Sequence, residues 1–286
     1  MKNKVMLGIL LILLVICVVF VCLFIYFNNK DTNISKKDSV SVNINKDMEI
    51  AQSNLRIPKD VVANVPIFMY HFVLDDYGEN PDVENFIKPS TLEAQLKYIK
   101  ENNYEPIFIN EIEHLENYTK PVALTFDDVF VYFYDNAYPL IKKYNIKVTL
   151  NIIADYINGE NYLTTEQIKE MLDSGLVSVE SHTLTHRELI YLSDEEKKKE
   201  ILDSKQKLDD LFDINVSTLC YPVGKYNDTV IDIAKEKYKY GLMMTGGVYN
   251  SKKHDLFEIP RIYANRSMSL NTFANYLSTS YVKVTW

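Results

Sequence analysis

Val122-Ala-Leu-Thr-Phe-Asp-Asp128 is an apolar, β-prone run that ends in two adjacent carboxylates. In α/β proteins, the loop after the carboxyl end of a strand is the usual position of catalytic residues. Side chains alternate in direction along a strand, so one of the two carboxylates can bind a metal while the other handles protons. A solvated turn is the alternative interpretation, because Asp is also common in turns.

A second polar motif, Ser181-His182-Thr-Leu-Thr-His186, follows farther along the chain. Two imidazoles four residues apart lie on one face of a helical turn, and this spacing is typical of metal ligands. Together the motifs predict a metal site formed by Asp128, His182 and His186, with positions left open for water and substrate. Zinc suits this ligand set best, although it also admits iron, cobalt or nickel.

The rest of the chain alternates short apolar runs with amphipathic stretches, which predicts a parallel sheet with helices outside it. This strand–helix alternation repeats six or seven times over about 225 residues, a length that favours a (β/α) barrel. An open doubly wound sheet is the alternative. Capping boxes predict helix starts at three places: Ser90–Glu93, Thr164–Gln167 and Ser193–Glu196. Gly175 is predicted to end the second of these helices in the left-handed conformation.

The amino terminus has the features of a membrane anchor. Residues 5–27 carry no charge and are long enough to span a hydrocarbon core about 30 Å thick. Lys2 and Lys4 precede this run and predict that the amino terminus stays inside. We therefore expect a cytoplasmic stub at 1–4, a transmembrane anchor at 5–27, a flexible extracellular linker at 28–60 and a catalytic domain at 61–286. A cleaved signal peptide is the alternative, but no A-x-A-like site follows the run.

The charge balance bears on the kind of partner. The net charge of −8 argues against nucleic acid, which needs clustered Lys and Arg, and is compatible with a neutral polymer. Cys220 is the only cysteine outside the apolar run and is predicted to be a small buried hydrophobe.

Three motifs, in this order, resemble those of the polysaccharide deacetylases, the NodB-homology family 4 carbohydrate esterases: Thr125-Phe-Asp-Asp128, Ser181–His186 and Tyr221-Pro-Val-Gly-Lys-Tyr-Asn227. Pro66-Ile-Phe-Met-Tyr-His71 is similar to the branch that acts on biofilm poly-N-acetylglucosamine. The resemblance implies a distorted (β/α) barrel and metal-dependent removal of N-acetyl groups, as acetate, from an extracellular N-acetylglucosamine polysaccharide, either an exopolysaccharide or peptidoglycan. A polysaccharide O-acetyl esterase and a carbohydrate-binding surface protein with impaired catalysis are the alternatives.

The resemblance also implies roles for individual residues. Asp127 matches the general base, and the backbone N–H of Tyr221 matches a donor to the oxyanion. Asp128, His182 and His186 match the metal ligands of the family. Most of the family takes its catalytic acid from a Leu-x-His motif that this chain lacks, so His71 is predicted to be the acid; a buried structural histidine is the alternative.

Two residues depart from the family pattern. Val129 and Glu180 stand where glycine is usual. A β-branched residue disfavours positive φ, so the loop at Val129 must take another path or carry strain. Glu180 is expected to add a charge near the metal. Three further residues are candidates for contacting substrate: Tyr132, Tyr226 and Arg261. For Arg261, a partner that tunes the catalytic Asp and a structural ion pair are also considered.

Overall fold

The computed structural model describes residues 60–75 and 84–285. The predicted stub and anchor, and the predicted linker up to residue 59, lie outside these residues. Among the residues described, no helix is both long enough and apolar enough to cross a membrane.

Strands make up the centre of the described region. Their bounds are β1 Asp60–Val65, β2 Ile67–Tyr70, β3 Phe72–Val73, β4 Phe86–Ile87, β5 Glu105–Ile107, β6 Pro121–Asp128, β7 Val148–Ile152, β8 Val177–Ser181, β9 Thr218–Cys220, β10 Tyr240–Gly246, β11 Tyr249–Asn250, β12 Ile259–Tyr263 and β13 Tyr281–Thr285. Seven parallel strands run in the order β2-β12-β10-β9-β8-β7-β6, and β6 pairs again with β2 to close a barrel. The predicted barrel is therefore confirmed, and the open sheet is wrong.

The sequence of the barrel strands explains their position. β7 is buried along its whole length, and β6 is buried everywhere except at Asp128. Strands covered on both faces read as continuous apolar runs, which is the pattern here. The ladder between β8 and β9 has a single residue pair, Ser181 with Leu219, so the barrel is distorted there. Because the strands are parallel, the residues that follow β2, β6, β8 and β9 all meet at one end of the barrel.

Helices follow most of the barrel strands. Their bounds are α1 Pro89–Glu101, α2 Tyr138–Tyr144, α3 Thr165–Asp173, α4 Asp194–Lys198, α5 Ser204–Phe212, α6 Asp228–Lys235 and α7 Leu270–Leu277. π-helical segments at Phe133–Ala137 and Lys199–Asp203 precede α2 and join α4 to α5. Thr164 and Ser193 cap α3 and α4 as predicted, and Gly175 has a φ of 68° after α3.

One predicted element boundary is wrong. α1 begins at Pro89 rather than at a Ser90 capping box, because proline is already set for the first helical position. Glu93 instead accepts hydrogen bonds from Lys143 and Tyr144. The apolar run at 65–70 contributes to two strands: β1 joins β11 and β13 in a separate antiparallel sheet, while β2 enters the barrel.

Glu180 does not face the predicted metal site. Its Oε2 accepts hydrogen bonds from the backbone N–H groups of Ser217 and Thr218, at 2.8 and 2.6 Å, where β9 begins. Burial raises the pKa of Glu180 to about 7, although these donors oppose the shift. The expectation of an extra charge near the metal is therefore wrong, because the carboxyl closes the gap between the splayed β8 and β9.

Glu180→Gln should remove a pH-dependent cost of folding. The folded pKa lies above the unfolded value, so the wild type loses stability as pH rises from about 4.5 to about 7. Glutamine keeps an oxygen for both backbone donors and carries no charge. Compared with the wild type, the variant should gain on the order of 3 kcal/mol in unfolding free energy at pH 8 and almost nothing at pH 4.5. Urea denaturation at both pH values measures this, and parallel pH profiles would contradict it.

Candidate metal and catalytic site

Asp127 and Asp128 are held in one cavity at the carboxyl end of β6. The cavity has a volume of about 220 Å³, and eleven residues line it: His71, Asn85, Asp127, Asp128, His182, His186, Tyr221, Val223, Gly224, Met244 and Arg261. They come from the ends of several strands, and the cavity therefore brings together most of the predicted site residues. Tyr132 and Tyr226 are absent from this lining.

The predicted metal ligands converge on one point. Asp128 Oδ1 lies 3.5 Å from His182 Nε2 and 3.4 Å from His186 Nε2. Asp128 Oδ1 is buried and has no hydrogen-bond partner among the described residues. A buried carboxylate oxygen without a partner is costly unless a cation or water meets it. The three residues therefore fit a metal ion with two imidazole ligands and one carboxylate ligand.

The surroundings of His182 suit it for ligation. Its Nδ1 lies 2.9 Å from the carbonyl oxygen of Cys220, so Nδ1 carries the proton and Nε2 presents its lone pair. Burial lowers the pKa of His182 to about 4, which keeps the imidazole neutral at physiological pH. A neutral imidazole is the form that binds metals.

A second cluster, of Asp127, His182 and Cys220, also has its potential ligand atoms close together. It suits a metal less well. Burial raises the pKa of the Cys220 thiol well above its usual value, whereas a metal ligand must be a thiolate. Both oxygens of Asp127 are already engaged with other side chains.

The two histidines do not lie on a helix. Residues 182–188 form an irregular loop, and φ is 65° at Thr183 and 61° at His186. The HxxxH spacing was therefore interpreted with the wrong local structure, although it identified residues that do converge. The left-handed turns bring both imidazoles to the same side of the loop.

Backbone strain is concentrated at this end of the barrel. Asp128 and Val129 have φ of 64° and 46°, and the N–H of Val129 donates to the carbonyl oxygen of Asp127 at 2.7 Å. Non-glycine residues in this region cost about 1–2 kcal/mol. Of the two outcomes expected at Val129, the loop carries strain rather than avoiding positive φ. Asp128 nevertheless reaches the histidines.

Val129→Gly should therefore cost less stability than the same change elsewhere in the core. Val129 and Val148 are 2% and 0% exposed, so both substitutions remove a buried side chain. Only the first also releases left-handed strain, and it should be about 1–2 kcal/mol less destabilising than Val148→Gly. Urea denaturation of the two variants makes the comparison. Equal losses would show that the loop holds no strain.

Arg261 is the partner of Asp127. Its Nη1 and Nη2 donate to the two carboxylate oxygens at 2.8 and 2.7 Å. Burial alone would raise the pKa of Asp127, but the guanidinium outweighs it and holds that pKa well below its usual range. The other donors of Arg261 bond three groups: Thr125 Oγ1, the Met243 carbonyl oxygen and Cys220 Sγ. All five N–H groups thus have partners within the protein.

His71 lies at the end of β2, in the same cavity. Its Nδ1 is buried and has no hydrogen-bond partner among residues 60–75 and 84–285. Burial lowers the pKa of His71, while the nearby carboxylates of Asp127 and Asp128 oppose that shift. His71 therefore lies in the cavity beside the carboxylate pair, within the group of side chains that can transfer protons there.

Tyr221 differs from its predicted role. Its backbone N–H donates to the carbonyl oxygen of Leu242 at 3.2 Å, because the ladder between β9 and β10 continues one residue beyond Cys220. That N–H is therefore not free for an oxyanion in this structure. The Tyr221 hydroxyl donates to the Phe257 carbonyl oxygen, and its ring stacks on Tyr226 at 4.6 Å. Tyr226 in turn donates to Glu258.

Three site residues were missed or undervalued at the sequence level. Asn151 Nδ2 donates to Asp127 Oδ1 at 2.7 Å, and its signal was a polar residue inside the apolar β7. Cys220 is buried as predicted, but its Sγ also lies 3.5 Å from Asp127 Oδ2. Asn85 lines the cavity from the segment before β4, and no sequence pattern marks it.

Comparison with known proteins agrees with this geometry. Residues 115–241 match the family model described as Polysaccharide deacetylase. The chain is 32% identical to Bacillus subtilis (strain 168) YxkH, which carries the name of that family, over 76% of this chain and 77% of the relative. It is 28% identical to a poly-beta-1,6-N-acetyl-D-glucosamine N-deacetylase of Staphylococcus aureus (strain MSSA476), over 68% and 72%.

The structure also resembles solved deacetylases. The Streptococcus pyogenes deacetylase PplD, in complex with acetate, aligns with a TM-score of 0.71 at 31% identity, over 75% of this chain and 98% of that one. A polysaccharide deacetylase from Bacillus cereus aligns with a TM-score of 0.71 at 29% identity, over 75% and 69%. From its fold, its site and these relatives, the chain is a member of the polysaccharide deacetylase family.

Proposed function

We propose that this deacetylase removes N-acetyl groups from an extracellular polysaccharide containing N-acetylglucosamine, in a metal-dependent reaction that releases acetate. The observation that carries the proposal is the meeting of Asp128, His182 and His186 beside the Asp127–Arg261 pair and His71 in one cavity. The name of the Staphylococcus aureus relative supports N-acetylglucosamine as the sugar. The uncharged run at 5–27 supports anchoring in the cell membrane, with the catalytic domain outside.

Asp127 accepts the proton of the attacking water. Its two ion-pair contacts and the Asn151 amide hold the carboxylate in one orientation. Because its pKa is strongly lowered, Asp127 stays ionised at every working pH but is a weak base. A divalent metal held by Asp128, His182 and His186, with zinc as the first choice, would offset this weak basicity, since such a metal acidifies bound water and polarises a carbonyl.

His71 supplies the proton that the leaving nitrogen needs. An amine is a poor leaving group unless it is protonated, whereas the alcohol of an ester leaves more readily. His71 lines the same cavity as Asp127, so it can serve the leaving nitrogen while Asp127 acts on the water. The two proton transfers are thereby assigned to separate groups.

His71→Ala should slow amide hydrolysis by about 10²-fold or more and slow ester hydrolysis much less. The cause is the different need of the two leaving groups for a proton. Metal content should not change, because His71 is not a ligand. Rates on acetamido sugars and on O-acetylated sugars, with His114→Ala as a control, test this; the His114 side chain is 60% exposed. An unchanged amide rate would move the acid role to another residue.

Acetate release by the full-length chain tests the function itself. N-acetylglucosamine oligomers, peptidoglycan and O-acetylated polysaccharide are compared after chelation and again with added zinc, cobalt or nickel. Metal-dependent release from the amide substrates is expected. Release only from the O-acetylated polymer would establish the esterase. Tight metal binding with no release from any polymer would establish a carbohydrate-binding protein.

A further inference from the structure

The cavity is too small for more than part of a polymer. Its volume of about 220 Å³ lies below the roughly 300–1,000 Å³ of pockets that enclose whole small ligands. A sugar chain that places one acetamido group there must lay its neighbouring units on the surrounding rim. The exposed residues of the rim therefore contribute to the choice of substrate.

Several aromatic rings in the segments that follow β2, β6 and β7 pack against one another. Phe130 lies between Phe72 and Tyr162, with centroids at 4.8 and 4.5 Å. The ring centroids of Tyr156 and Tyr162 lie 4.9 Å apart. These contacts hold the four rings against one another.

Tyr191 is different. It is 73% exposed, the highest value among the large apolar and aromatic side chains in the part of the chain that the structure describes. Lys225 Nζ lies 5.4 Å from its ring centroid on one side and makes an ion pair with Glu188 at 2.7 Å. The ring is thus oriented by a neighbouring charge while most of its surface is open to solvent.

The Lys225–Glu188 ion pair beside Tyr191 joins two of the loops that contribute residues to the cavity. Glu188 follows the metal-site residue His186 by two positions, and Lys225 follows the cavity residue Gly224 directly. The second loop has little freedom, since a Cβ on Gly224 would lie 2.6 Å from Met244 Cβ. Val223, which is 44% exposed, lines the same cavity. Tyr191 is therefore held, through Lys225, beside the same loop that carries Val223 into the cavity.

We propose that Tyr191 forms an outer sugar subsite, against which a pyranose ring adjacent to the unit in the cavity packs its apolar C–H face. This inference rests on the proposed function. Tyrosine loses little side-chain entropy on binding and offers an apolar ring with a polar tip. The charges of Lys225 and Glu188 neutralise each other, so the subsite favours a neutral sugar polymer over an anionic one.

Oligosaccharide binding tests the subsite separately from turnover. The probes are a β-1,6-linked N-acetylglucosamine disaccharide and pentasaccharide, titrated calorimetrically into the metal-loaded full-length chain carrying Asp127→Asn to slow hydrolysis. Chelated wild-type chain provides a second background. Adding Tyr191→Ala should raise the pentasaccharide Kd about three- to tenfold and leave the disaccharide Kd within about twofold. Tyr191→Phe should keep wild-type affinity, because the ring remains.

Tyr281→Ala is the matched control. Tyr281 is 41% exposed and begins β13, next to Ser280, which bonds Pro121 at the amino end of β6. It therefore lies at the opposite end of the barrel and should change neither Kd. An unchanged pentasaccharide Kd in Tyr191→Ala, equal losses for both probes, or no binding by the parent chain would overturn the subsite. Acetate release by the wild type tests the proposed function independently of these results.

Discussion

Replacing Asp127 with asparagine should lower turnover by about 10²–10⁴-fold while the protein keeps its metal. The amide cannot accept the proton of the attacking water. The metal ligands Asp128, His182 and His186 are unchanged by the substitution. Acetate release and metal content, measured on the same preparation of the variant, separate loss of the base from loss of the site.

The variant should also be less stable, which has to be measured alongside activity. Arg261 and Asp127 are 1% and 3% exposed, and breaking a buried ion pair by removing one partner costs about 3–5 kcal/mol. Assays therefore belong well below the variant's melting temperature. Asp135→Asn, at an exposed position in the segment before α2, is the control and should change nothing. Full activity in Asp127→Asn would show that the base assignment is wrong.

Substituting His182 with alanine should abolish metal binding and activity together. His182 supplies one of three side-chain ligands, and losing even a residue that only supports a ligand costs about 10–100-fold in metal affinity. Loss of the ligand itself should exceed that range. Calorimetric titration with zinc, cobalt and nickel measures the affinity, and acetate release measures the activity.

His114→Ala is the matched control for this experiment, because it removes an exposed histidine remote from the cavity. It should bind metal and release acetate like the wild type. A His182→Ala chain that kept its metal affinity would place the metal elsewhere, and the cluster of Asp127, His182 and Cys220 would be weakened as a candidate by the same result. Retained affinity would therefore contradict both arrangements.

Local sequence determined much of this protein. Continuous apolar runs predicted the buried parallel strands, and their alternation with amphipathic helices predicted a barrel, since burial on both faces demands apolar residues throughout. The carboxylates that end β6 and the two histidines that follow β8 were predicted to share one site from their residue types and spacing, and family resemblance added His71 at the end of β2. Three caps, at Thr164, Ser193 and Gly175, depend only on neighbouring residues and could be predicted for that reason.

Tertiary structure alone decided how the site is tuned. Arg261 lies 134 residues from Asp127 in the chain, and only the closure of β12 and β10 into the barrel brings the guanidinium to that carboxylate. The backbone N–H of Tyr221 donates to the carbonyl oxygen of Leu242, because the β9–β10 ladder runs one residue farther than any local pattern shows. Glu180 turns to the amides of β9 because β8 and β9 splay apart. Packing between segments that are distant in the sequence sets each of these contacts, so short-range sequence patterns do not predict them.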